Sequence, residues 1–220
     1  MKNKISLNIN KFDLLVSLYI FFIIVSELMG AKTFPLLHIG KFALNASVAI
    51  FLIPFVFSIN DVIIEVYGAA RAKSVYRSGL LTIVLLLLFS TLAISLPPSS
   101  RFKNMESAYD LIFGQSIRIA LASLTAFALS DFMDIVIFNK LKEKLGGKAL
   151  WFRNNLSNII SQFFDTTIFM FLAFYALDKT FVNNVYFLTS LITPYWLLKC
   201  FMSVIETPFV YIGVKWLKKE

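Results

Sequence analysis

Cysteine and histidine are nearly missing from this 220-residue chain, which has one of each, Cys200 and His38. A single cysteine excludes an internal disulfide and any multi-cysteine metal site. Cys200 sits in an apolar run and reads as a small buried hydrophobe. A single histidine excludes a Ser-His-Asp triad and the paired histidines of an intramembrane zinc protease. Neither a catalytic set, a metal nor a cofactor is therefore expected. Gly146-Gly147-Lys148 lacks both the spacing and the following Ser or Thr of a phosphate-binding loop, so the chain is not expected to hydrolyse ATP itself. There is no Arg ladder of a voltage sensor and no repeated selectivity-filter motif. Charge is also scarce: 15% of residues are charged, against about a quarter in a soluble domain.

What is abundant is apolar surface. Hydrophobic residues make up 58% of the chain, 24 of them Phe, and the mean hydropathy is +0.76. The apolar residues fall into six runs, roughly Phe12–Gly30, Phe42–Ile64, Gly79–Leu96, Leu111–Phe138, Asn155–Leu177 and Val185–Leu217. Each is long enough for a hydrocarbon core of about 30 Å, which takes about 20 helical residues. Backbone groups in lipid must bond within their own segment, so the runs are predicted helices. The expected fold is all-α: one domain over residues 1–220, a multi-pass bundle of six transmembrane helices. Pro54 is expected to kink the second helix, and Glu206-Thr207-Pro208 gives the last run room for a tilt or a break. The basic start and the apolar stretch Leu14 to Met29 resemble a signal peptide, but no small-x-small cleavage site follows. A retained first helix is expected.

The net charge of +8 raises nucleic acid as a partner, but the basic residues lie between apolar runs, where they set orientation. With the N-terminus in the cytoplasm, fourteen of the 21 basic residues fall in inner segments. These are Lys2, Lys4 and Lys11; Arg71, Lys73 and Arg77; Lys140, Lys142, Lys144, Lys148 and Arg153; and Lys215, Lys218 and Lys219. Five fall in outer links: Lys32, Lys41, Arg101, Lys103 and Lys179. The asymmetry predicts both termini in the cytoplasm, with lipid rather than nucleic acid around the chain.

The ionisable residues inside the runs carry the functional information. A charge at the bilayer centre costs roughly 2.5–3.5 kcal/mol on insertion scales, so such residues face the bundle interior or a wet cavity. Glu27 lies near the outer end of the first run. Asp61 and Glu65, four apart, share a helix face, as do Asp131 and Asp134, three apart. Ser157, Ser161 and Asp165 form one polar stripe, with Asn154, Asn155, Asn158 and Gln162 adding amides on the inner half of that helix. Arg118 and Lys199, the two basic residues in neither an inner nor an outer segment, lie inside predicted helices. A set of amides, hydroxyls, carboxylates and two cations suits a small polar ligand that needs several directional hydrogen bonds. The plainer alternatives are interfacial ion pairs for Asp61 and Glu65, charge neutralisation by Arg118, helix-crossing roles for the serines, and an Asp165–Lys199 pair.

At these same residues the sequence resembles the queuosine precursor transporter family, also called the vitamin uptake transporter (VUT) family. The match is carried by Ser58–Gly68 (S-I-N-D-V-I-I-E-V-Y-G), by Arg118–Lys142 with Ala122-Ser123, Asp134 and Phe138-Asn139, and by Trp151–Phe174 with W-F-R-N-N-L-S and S-Q-F-F-D-T-T-I-F. Lys199 matches a basic residue of the family's last helix. The resemblance implies a six-helix importer, related in architecture to the substrate-binding subunits of energy-coupling-factor vitamin transporters. It implies 7-deazaguanine substrates: the cyano and aminomethyl precursors (preQ0, preQ1) or queuine. One departure is Asp131, where the family commonly has an amide; an extra anion would favour an amine-bearing ligand. A deazaguanine presents a ring N–H beside an exocyclic NH₂, which one carboxylate accepts in two parallel bonds, and its carbonyl calls for a donor such as Lys, Arg or Asn. Asp165, Asp134 and Glu65 are the candidate acceptors, Lys199 and Arg118 the candidate donors, with Asp61, Asp131, Asn155, Ser157 and Gln162 completing the set. The rival readings are a subunit for another vitamin or purine that works with a separate energy-coupling ATPase module, and an intramembrane enzyme or scaffold.

Overall fold

The computed structural model describes residues 10–40, 42–145 and 150–218. These form α1 (Lys11–Met29), a hairpin of β1 (Thr33–Ile39) and β2 (Phe42–Ser47), a short 3-10 turn (Val48–Phe51), then α2 (Ile53–Tyr67), α3 (Ala69–Ser95), α4 (Glu106–Leu145), α5 (Leu150–Phe174) and α6 (Phe181–Leu217). Among the described residues four helical stretches are long and apolar enough to cross a membrane: Lys11–Met29, Val48–Tyr67, Ala70–Ser95 and Glu106–Ser130. In α5 the apolar stretch is shorter, Ile159–Phe174. The chain is thus a mostly helical, polytopic membrane protein. Leu81, Leu85, Leu88, Phe89 and Leu92 stand exposed along α3 at helical spacing. Such a stripe is solvated by lipid tails and needs no protein partner.

Local signals explain several boundaries. The Asn10 side chain accepts from Phe12 N (2.8 Å) and starts α1. The Thr180 hydroxyl does the same for α6, accepting from Asn183 N. Gly68, at φ +82°, is the single residue joining α2 to α3, a conformation that costs other residues a Cβ clash. The basic cluster Arg71, Lys73 and Arg77 therefore lies on the first turns of α3, which begins ten residues before its apolar run.

Two expectations are corrected. Phe42–Ser47 is a strand, not the start of the second helix: β2 pairs antiparallel with β1, from Thr33↔Ser47 to Ile39↔Phe42, with an irregularity between Pro35 and Leu37. Its order comes from distant partners. Asn45 Nδ2 donates to Ser190 Oγ (2.7 Å), Tyr195 Oη to Ser47 O (3.0 Å), and Ser47 Oγ to Gly30 O (2.6 Å). Pro54 does not kink α2 but opens it, in the first turn, where its missing N–H leaves no helical bond unmade. α6 runs unbroken through Pro208.

Three buried clusters pack the helices. Leu15, Tyr19, Ile59, Val62, Ile63, Ala72, Val75 and Leu217 gather where the ends of the described chain meet. There Lys11 Nζ donates to Trp216 O (3.0 Å), so the start of α1 and the end of α6 lie on one side of the bundle. Ala46, Met170, Leu188, Leu191 and Tyr195 form the cluster under the hairpin, and Ile119, Ala122 and Ala173 join α4 to α5.

Candidate functional site

A cavity of about 260 Å³ lies where the three clusters meet, and all six helices and the hairpin contribute to its wall. The volume sits just below the usual range for ligand pockets, about 300–1,000 Å³, so an occupant of one small fused ring system fits and a nucleotide or peptide does not. Most of the wall is apolar or aromatic, including Ile53, Val56, Phe57, Ile83, Phe127 and Phe169. Tyr76 and Phe127 are tilted against each other with centroids 5.1 Å apart, offering ring surface against which a flat ligand packs.

The charged groups in this wall, Glu27, Asp165 and Lys199, come from three separate helices. Lys199 of α6 and Asp165 of α5 form an ion pair, Nζ to Oδ2 2.5 Å, with side chains 14% and 26% exposed. The other carboxylate oxygen of Asp165 accepts from Ser130 Oγ (3.3 Å). Both oxygens of Asp165 are therefore engaged, whereas an ammonium has three N–H bonds to give and Lys199 gives one to Asp165. Thr166 also lines the cavity, and its hydroxyl is buried without a partner among the described residues.

Glu27 of α1 is the second carboxylate in the wall. It is 5% exposed, the Ser123 hydroxyl bonds its carboxyl, and Oε2 has no partner among the described residues. Glu27 was visible in the sequence as a lone acid in an apolar run, but no second polar residue at helical spacing marked it as part of a site.

The other sequence-predicted residues are placed as follows. Arg118 lies on α4 away from the cavity wall: Nε donates to Leu172 O (2.8 Å) and Nη2 to Tyr175 O (2.6 Å). These are end carbonyls of α5, which lack helical partners and present the negative end of the helix dipole. Asn184 completes that cap, donating to Ala176 O (2.8 Å) and accepting from Ala176 N (2.9 Å). Asp61 is half-buried and Glu65 exposed on α2; neither lines the cavity, nor does Gln162. Asp131 and Asp134 lie on α4, and Asn155 and Ser157 on α5; their side chains fall outside the described residues.

The comparisons with known proteins agree with this architecture. Residues 47–213 match the family described as "Putative vitamin uptake transporter". The chain is 29% identical over 180 residues to the "Probable queuosine precursor transporter" of Bacillus subtilis (strain 168), covering 81% of this chain and 76% of that protein. It is 27% identical over 139 residues to the "Queuosine precursor transporter" of Escherichia coli (strain K12), and 26% over 143 residues to a "Probable queuosine precursor transporter" of Haemophilus influenzae (strain ATCC 51907 / DSM 11121 / KW20 / Rd). These cover 60% and 62% of this chain but only 57% and 55% of the relatives. No solved structure matches the chain. With residues 47–213 matched by the family, the chain belongs to the vitamin uptake transporter family, whose members are membrane transporters and not enzymes.

Proposed function

We propose that the protein imports a queuosine precursor, a 7-deazaguanine, across the cytoplasmic membrane, and that the ligand occupies the cavity around Asp165 and Lys199. The observation that carries this reading is a partly buried ion pair, in which Lys199 gives one of its three N–H bonds to a partner among the described residues, in a wall that is mainly apolar and aromatic. An ion pair is costly to keep in a dry core unless further bonds repay it. A ligand carbonyl that accepts from Lys199 supplies such a bond. The names of the relatives supply the substrate class, and the cavity volume suits one fused bicycle. The extra carboxylate of Asp131 favours the aminomethyl over the cyano precursor.

In the same reading α5 and α6 also cross the bilayer, giving six spans in an arrangement like that of energy-coupling-factor substrate subunits. Both termini face the cytoplasm, consistent with the contact between Lys11 and Trp216 and with the basic asymmetry. Uptake of labelled aminomethyl-deazaguanine into cells unable to make queuosine tests the function. Accumulation dependent on this chain is the expected result; no accumulation above the empty-vector level overturns it. Repeating the assay without any energy-coupling ATPase module shows whether such a partner is needed.

A further inference from the structure

The cavity holds two carboxylates in unlike states. Asp165 accepts from Lys199 and from Ser130, one bond to each oxygen. Glu27 is more deeply buried, has the Ser123 hydroxyl on its carboxyl, and keeps Oε2 without a partner among the described residues. A buried acceptor left unmatched carries its full desolvation cost, and that cost is removed when a donor arrives. The wall is composed mainly of apolar and aromatic side chains, and an occupant that brings N–H donors to Glu27 supplies the missing bond.

We propose that Glu27 is the specificity-determining carboxylate of the cavity: it accepts the adjacent ring N–H and exocyclic NH₂ of a 2-amino-lactam base. The inference rests on the deazaguanine reading above and adds to it the residue that reads the amino edge. Lys199, held by Asp165, then donates to the lactam carbonyl on the neighbouring position of the same ring. The two polar side chains come from α1 and α6, so one planar ligand draws helices from opposite ends of the chain together. A site built to bond an N–H group discriminates strongly against an analogue lacking it, because the acceptor is again left unpaired.

The test compares two probes on purified full-length protein in lipid nanodiscs: 7-aminomethyl-7-deazaguanine and 7-aminomethyl-7-deazahypoxanthine, which lacks only the 2-amino group. Wild type is expected to bind the first at least about tenfold more tightly. In Glu27→Gln the side-chain amide presents its NH₂ to the ligand's donors, and the ratio falls to about one. Glu27→Asp keeps the charge but withdraws it by one methylene, and an intermediate ratio is expected. A merely structural role for Glu27 lowers both affinities together and leaves their ratio alone. A wild-type ratio retained in Glu27→Gln overturns the assignment, as does a wild type that binds both probes equally; transport of deazaguanines stands in either case. A wild type that binds neither probe removes the proposed function and this assignment with it. Where Glu27→Gln fails to fold, Glu27→Asp decides by the same ratio, and no change from wild type overturns the assignment.

Discussion

Two regions of the bundle hold charge among the helices, and they use it differently. At the end of α5, the guanidinium of Arg118 is bonded to the carbonyls of Leu172 and Tyr175, and Asn184 bonds both backbone groups of Ala176. The partners are backbone, fixed by the helix itself. Around the cavity, the partners of Asp165 and Lys199 are side chains, and Glu27 has an oxygen with none among the described residues. A charge that completes a helix end contributes to stability and leaves nothing for a ligand. A charge held among side chains beside a void keeps bonding capacity that only a guest can use. In a membrane helix both kinds look alike in sequence, because the insertion cost that makes them conspicuous is the same.

The sharpest way to break this contrast is Asp165→Asn, for which loss of uptake is expected. Lys199 then lies partly buried without its counter-charge; removing one partner of a fully buried pair costs about 3–5 kcal/mol, and a smaller loss is expected at this partly exposed pair. Asp165→Asn/Lys199→Met removes both charges and is expected to recover thermal stability in detergent but not uptake. Recovery of uptake in the double variant would make the pair structural, no different in kind from Arg118. Next in size is Arg118→Met. It leaves two carbonyls of α5 short of a charged donor, and a loss of about 2–4 kcal/mol is expected from bonds worth about 1.5–3 kcal/mol each. The preference for the 2-amino probe should stay as in wild type, measured on protein below its unfolding midpoint. A changed preference with unchanged stability would put Arg118 in the site.

A smaller effect is expected where α2 crosses α6. A Cβ on Gly213 would stand 2.7 Å from Val62 Cγ2, and the stiff valine cannot turn aside. Gly213→Ala should cost about 1–3 kcal/mol as overpacking does elsewhere, with binding affinity unaltered. Val62→Ala in the same chain should restore the unfolding temperature, and failure to do so would place the strain elsewhere.

Most of the helical plan was legible because a bilayer demands apolar runs of fixed length, and such runs locate themselves in α1, α3 and α4. The hairpin was not. Phe42–Ser47 is as apolar as a helix start; it is a strand because it pairs with Thr33–Ile39, and bonds from Asn45 to Ser190 and from Tyr195 to Ser47, far away in sequence, hold it in place. Pro54 suggests a kink in the sequence because the apolar run Phe42–Ile64 begins before it; with the strand in place it lies in the first turn of α2. The ion pair of Asp165 with Lys199 was foreseeable, since two opposite charges deep in apolar runs have few other partners. Arg118 was harder, since its partners are carbonyls that no side-chain pattern displays. Glu27 was harder still: a lone acid carries no spacing, and its place in the cavity depends on how six helices meet.

The smallest expected effect belongs to Glu65, and it bears directly on the contrast between the two kinds of charge. Sequence spacing pairs it with Asp61 on one face of α2 and makes both candidate ligands. In the folded chain Glu65 is exposed one turn from the end of that helix, and neither acid touches the cavity. An exposed carboxylate near a helix end interacts weakly and is well solvated, so neutralising it removes little. Glu65→Gln should shift stability by no more than about 0.5 kcal/mol, as surface changes do. Affinity for the 2-amino probe should stay within about twofold of wild type, since a charge outside the cavity is screened from the ligand. Affinity and uptake must be measured on the same variant, because they separate two cases. Unchanged affinity with normal uptake leaves Glu65 as a solvated interfacial charge. Affinity lost in a stable, well-inserted variant would mean that the ligand meets α2 after all, and that the division between spent and unspent charge does not end at the wall of this cavity.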